Sequence, residues 1–234
     1  QIHVNRPPFD QAIVRRAVLA GVNAEDYMGS LGPSDLWLTC SSAYYCGSPL
    51  ETERGAEFYN QNDIPRAKAL LAEAGVAPED HVIDIMVPAD YSTIAPLGLV
   101  LKAQLEATGF KTEMPGMDWA TMVSKLPTDD YSIFGTWWAH WAGSDPITDN
   151  TVAGTSGYAG NWVNDDMLEY RRNFAFAATH ADKMKWIDLI QDKYFEEVPR
   201  IWLGQFANIF PHRTYVKNMT VPAMPIYIGV WMEK

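Results

Sequence analysis

Apolar residues recur at helical spacing in some stretches of this chain and alternate in shorter stretches between them. Ile13, Val14, Ala17 and Val18 form one face of a helix that Asp10 caps and Gly21 ends. Asp63 caps a second, with Pro65 in its first turn, an inward stripe of Ala67, Leu70, Leu71 and Ala74, and Gly75 as its stop. A third is predicted from about Thr93 to Thr108, where Leu97, Leu101 and Leu105 align and Gly109 follows. Two more fall near Asp165–Ala178 and Asp182–Glu196, the latter with Met184, Ile187, Ile190 and Tyr194 inward and Pro199 beyond its end. Between them lie the strand candidates His81–Val87, Lys111–Met114, Tyr131–Trp138, Arg200–Phe206 and Ile226–Trp231. Helix and strand take turns, so the predicted class is α/β, a mixed sheet covered by helices. No repeat or long linker divides residues 1–234, which read as one lobe with an irregular insertion at about 29–56.

One strand candidate ends unusually. Tyr131–Phe134 runs into Trp137, Trp138, His140 and Trp141, then stops at the turn Gly143-Ser-Asp-Pro146. Strand side chains alternate faces, so these rings cannot all enter one core. At least one is expected at a strand end, where α/β proteins place ligand crevices. Trp138, His140 and Trp141 are the first candidates for ligand contact, followed by Trp137 and Asp145. The alternative is structural: rings can cover a sheet, and Asp145-Pro146 can simply hold a turn.

Composition narrows the partners. A net charge of -11 leaves no basic patch for phosphates, so nucleic acid is not an expected partner. No apolar run approaches a membrane span. Cys40 and Cys46 are the only cysteines. A bridge between them would contribute about 2 kcal/mol by loop closure and would pin Tyr44 and Tyr45, candidates for a cleft rim. It would also favour an oxidising compartment. Two buried thiols are the alternative; a zinc site would need further ligands nearby.

Catalytic signatures are missing from the sequence. There is no phosphate-binding loop, no G-x-G-x-x-G after a strand, no G-x-S-x-G elbow and no H-E-x-x-H. Asp145, Asp149, Asn150, Asn161, Asn164, Asp165 and Asp166 lack the spacing of a calcium loop and read as turn formers and caps. No catalytic residue, cofactor or metal is expected, and the chain is not expected to be an enzyme.

Several stretches, in order, resemble the C-terminal lobe of the family 5 extracellular solute-binding proteins, the oligopeptide- and dipeptide-binding proteins of ABC importers. They are Asn5–Asp10 with Val14–Val18, Tyr59–Gly75, Trp138–Asp149, Trp162–Leu168 and Glu196–Leu203. The resemblance implies a lobe of the periplasmic binding protein-like type II fold and a missing N-terminal lobe of the same protein. It implies a periplasmic or extracellular, cell-surface location and a membrane ABC permease as partner. The implied function is capture of a peptide or other small solute in the cleft between two lobes. A ligand-sensing domain of a regulator with the same fold is the alternative. Two positions depart from the peptide-binding members. The Asp that meets a peptide's amino group is replaced by His140 or Trp141, depending on which Trp is aligned. The Arg that meets its carboxylate falls at Ala95, and Tyr91, Ser92, Thr93 and Ile94 beside it supply no base. The resemblance therefore implies a cleft without the usual peptide anchors, one whose Trp-rich loop suits a flat or sugar-like solute.

Overall fold

Most helices begin where a side chain takes up an amide that the first turn leaves unpaired. The structure is a computed structural model and describes residues 1–138, 144–149, 153–155, 160–207, 209–220 and 227–233. Its first half holds α1 (Ala12–Gly21), α2 (Ala24–Leu31), β1 (Trp37–Leu38), α3 (Ile64–Glu73), β2 (Val82–Pro88) and α4 (Ala95–Thr108). Then come β3 (Lys111–Glu113), β4 (Gly116–Met117), α5 (Trp119–Lys125), β5 (Ile133–Phe134) and α6 (Asp165–Phe176). The last elements are α7 (His180–Glu197), β6 (Gln205–Phe206), β7 (Val216–Lys217) and β8 (Trp231–Met232).

Asp63 caps α3 by accepting from Arg66 N at 2.8 Å, Asn164 caps α6 through Met167 N at 2.9 Å, and Thr179 caps α7 through Asp182 N at 3.1 Å. The first helix corrects the sequence reading. Gln11, not Asp10, precedes α1, and its side chain makes no capping bond. That helix is tied down elsewhere: the buried Arg15 guanidinium donates to Phe9 O and Glu197 O, both at 2.7 Å, and pairs with Glu197 Oε2 at 3.0 Å. Two helices were not foreseen. In α2, Asn23 accepts from Glu25 N, and α5 is only seven residues long behind its cap, Asp118.

The central sheet is built on β2. Its first half pairs in parallel with β3 and its end with β4, the two sharing one register: Val82 faces Lys111 and Val87 faces Gly116. They are thus one outer strand interrupted at Met114-Pro115, where proline has no N–H to give the ladder. On the other side β5 runs parallel to β2, with Ile85 facing Ile133, and Ile2 bridges antiparallel to Ile133 beyond it. The sheet is mixed, as expected. The strand at 131–138 is shorter than expected, because regular pairing ends at Phe134; of 200–206 only Gln205 and Phe206 pair.

Both faces of the sheet are covered. Ile83, Ile85 and Val87 point into the main core with Leu97, Leu101 and Leu105 of α4. Met86, Tyr131 and Phe134 form a smaller cluster with Met122 of α5 on the other side. A strand buried on both faces needs little polar alternation. Close approach of α4 to the sheet depends on Gly98, where a Cβ would lie 2.4 Å from Val87 Cγ2.

Candidate functional site

Strands β2, β4 and β5 are parallel, so their carboxyl ends open on one side of the sheet. The connection through α4 covers one face and that through α5 the other. The strand ends at this divergence are where open α/β sheets form ligand crevices. Each strand end delivers an aromatic residue there: Tyr91 follows β2, Trp119 follows β4, and Trp137 follows β5.

The three rings are linked. Tyr91 meets Trp119 edge to face, with ring centroids 5.3 Å apart and planes at 62°. Trp137 Nε1 donates to Tyr91 Oη at 3.2 Å. Trp119 packs on both hydrophobic clusters, which fixes the base of the group. Its amide is held by Asp90 Oδ1 at 2.8 Å, and Ala89 N donates to Met117 O at 2.7 Å, so the β2 and β4 ends are tied to each other. The loop after β5 lies close to α4 because residue 135 is glycine; a Cβ there would stand 3.0 Å from Leu97 Cβ.

The chemistry of this face is stacking with little charge. Trp137 spends its N–H on Tyr91, which sets the ring orientation while leaving the ring 37% exposed; Trp138 beside it is 46% exposed. The first turn of α4 offers no anion cradle. Ala95 N donates to Tyr91 O at 3.0 Å, Leu97 N donates to Ile94 O at 3.1 Å, and Pro96 has no N–H.

The other predicted residues are placed differently. His140 and Trp141 lie outside the described residues. Asp145 accepts at Oδ1 from Ile147 N at 2.8 Å and Thr148 N at 2.9 Å, so that oxygen holds the turn. Cys40 and Cys46 form a disulfide. Tyr44, expected at a cleft rim, is instead fully buried in the main core. Burial, with Asp149 as the next cause, pushes its phenol well above the ordinary range. Tyr45 is half-buried with a positive φ of 55°. The loop between the cysteines is fixed by distant side chains. Tyr59 Oη accepts from Cys40 N at 3.0 Å, Gln191 Oε1 from Ala43 N at 2.9 Å, and Gln205 Oε1 from Cys46 N at 2.7 Å.

Sequence reasoning missed Tyr91, Trp119 and Asp90. The available signal was position: Asp90 and Tyr91 directly follow the clearest strand, and Trp119 follows the cap residue Asp118.

Among the described residues no group of three His, Cys, Asp or Glu side chains is placed to hold a metal ion, and no helix is long and apolar enough to cross a membrane.

The sequence profile of bacterial extracellular solute-binding proteins, family 5 middle region, matches residues 1–160. The chain is also similar to solved structures. A dipeptide-binding protein of Pseudoalteromonas sp. SM9913 in complex with Met-Leu matches with a TM-score of 0.78 and 17% identity, over 99% of this chain and 47% of its own. The ABC transporter substrate-binding protein CtaP of Listeria monocytogenes gives 0.77 and 17%, over 88% and 42%. A periplasmic oligopeptide-binding protein of Thermotoga maritima with bound mannohexaose gives 0.73 and 14%, over 87% and 42%. At these identities the likeness is one of fold, and the chain spans less than half the length of each.

Proposed function

Because the chain belongs to the bacterial extracellular solute-binding proteins of family 5, we propose that it forms one solute-binding lobe of an ABC importer's substrate-binding protein. The protein works in the periplasm or at the cell surface. Its solute sits between the strand ends of this lobe and a second lobe, which close on it by hinge motion and present it to a membrane permease. Its work is binding, without bond-making.

The observation that carries this reading is the ring group Tyr91, Trp119 and Trp137 at three parallel strand ends. Trp138, next to Trp137 and 46% exposed, extends the contact surface. Aromatic faces supply contact area, and a few polar groups fix orientation. The similar structures hold solutes as different as Met-Leu and mannohexaose. Among the described residues, the first-turn amides of Ala95 and Leu97 are spent and residue 95 is alanine, so the start of α4 offers a peptide carboxylate no partner. A charged end buried without a partner is costly. That favours a solute presenting a sugar or other flat face to the rings.

Native mass spectrometry of the gently purified full-length mature protein tests this. A single discrete small-molecule mass is expected. A series of peptide masses would overturn the flat-face reading while leaving the binding role intact. No retained mass, together with no change in tryptophan fluorescence across sugars, chelates and peptides, would overturn the binding role.

A further inference from the structure

The turn that ends β2 brings two neighbouring side chains onto one residue. Tyr91 N donates to Pro88 O at 3.2 Å and closes a turn over residues 88–91. In a continuing strand the side chains of Asp90 and Tyr91 would point apart. Here both reach Trp119: the Asp90 carboxylate takes its amide at 2.8 Å, and the Tyr91 ring meets its indole edge to face. Tyr91 in turn accepts from Trp137 Nε1 at 3.2 Å. Asp90, Trp119, Tyr91 and Trp137 are thus joined by direct contacts, with a carboxylate at one end and an exposed ring at the other.

Only part of Asp90 is spent on the fold. Its Oδ1 holds the Trp119 amide, whereas among the described residues Oδ2 has no partner, and the side chain is exposed. A carboxylate accepts hydrogen bonds and donates none. A solute on this face must therefore bring hydrogen-bond donors or a positive charge, and an anionic group is repelled. Organic cations and neutral polyols both meet that demand.

The rings separate the two. Cages for organic cations set aromatic faces around the charge. Tyr91 and Trp119 are half-buried, packed on each other and against the main core, so they do not stand as open walls. The exposed rings, Trp137 and Trp138, come from one stretch of chain and offer a platform. A platform beside an acceptor suits a sugar ring, which has an apolar C–H face and donates from the hydroxyls on its rim.

We propose that the solute is a neutral carbohydrate whose ring lies on Trp137 and whose hydroxyls donate to Asp90, the residue that selects for this class. The inference deepens the solute-binding reading and rests on it. Fluorescence titration of the full-length mature protein tests it, with neutral sugars from glucose to mannohexaose, choline and Met-Leu as probes. At least one sugar is expected to bind, with an affinity that hardly changes between about 50 and 500 mM salt. Asp90→Asn keeps an oxygen for the Trp119 amide. It is expected to weaken that sugar about tenfold, in keeping with the loss of hydrogen bonds to a charged acceptor, at an unchanged melting midpoint. Unchanged affinity in Asp90→Asn would overturn the proposal. A loss accompanied by a lower midpoint would also overturn it, because Asp90 would then act through the position of Trp119. Binding of choline or Met-Leu without any sugar would overturn the carbohydrate class and leave the binding role intact. Silence toward every probe would overturn the binding role, and the proposal with it.

Discussion

The loop closed by Cys40 and Cys46 and the stretch 135–138 that follows β5 are both short and rich in rings, yet the first turns its Tyr44 inward and the second leaves Trp137 and Trp138 exposed. The cause is what holds each backbone. In the cysteine loop, amides are taken by Tyr59, Gln191 and Gln205, side chains from remote elements, and the ring is drawn into the core with them. In the β5 loop, the hold is at the root: Gly135 lies close against Leu97, and Trp137 gives its N–H to Tyr91. Aromatic content is the same signal in both. Only the anchoring separates a buried loop from an exposed one.

The largest effect should come from emptying the inward loop. Tyr44→Ala is expected to cost about 3–5 kcal/mol of stability, the usual range for deleting a large buried ring, as read by urea denaturation of the full-length protein. Tyr44→Phe should be nearly neutral, because among the described residues the buried hydroxyl has no hydrogen-bond partner to lose. If Tyr44→Ala instead weakened solute binding at unchanged stability, the inward assignment would be wrong. Next is the disulfide: alkylation of the unreduced protein should find no free thiol, and reduction should lower stability by about 2 kcal/mol. Solute affinity should hardly change, since the β5 loop is anchored independently.

The outward loop should behave in the opposite way. Trp137→Ala is expected to weaken solute binding about tenfold while leaving the melting midpoint almost unmoved; isothermal titration and a thermal scan read the two. The smallest effect is reserved for Tyr91→Phe, which keeps the ring and removes the acceptor for Trp137. A loss of about threefold in affinity is expected, in keeping with one modest hydrogen bond. Equal losses for the two variants would mean that Trp137 acts by its orientation alone.

Much of the architecture was legible along the chain. Helices α3 and α4 carry their stripe and their glycine stop in consecutive residues, and α3 its cap as well, so periodicity and end signals agree. The strand β2 was equally plain. Less legible was anything set at long range. Tyr44 is buried because its neighbour Ala43 is held by Gln191, a residue 148 positions away, and no local pattern records that. Asp10 looked like a cap, but α1 starts one residue later and is fixed by Arg15 instead. The tryptophan loop stood out by composition, whereas Tyr91 and Trp119 gain meaning only when β2 and β4 are laid side by side.

The break at Pro115 bears on what this sheet cannot do. The outer strand is cut into β3 and β4, each too short to offer a long row of free amides. Its first piece carries exposed Lys111 and Glu113. Short length, charge and proline are the devices by which natural sheets refuse strands from other molecules. The flank of the sheet that β3 and β4 form is thereby blunted against templated aggregation by a single residue that carries no functional group.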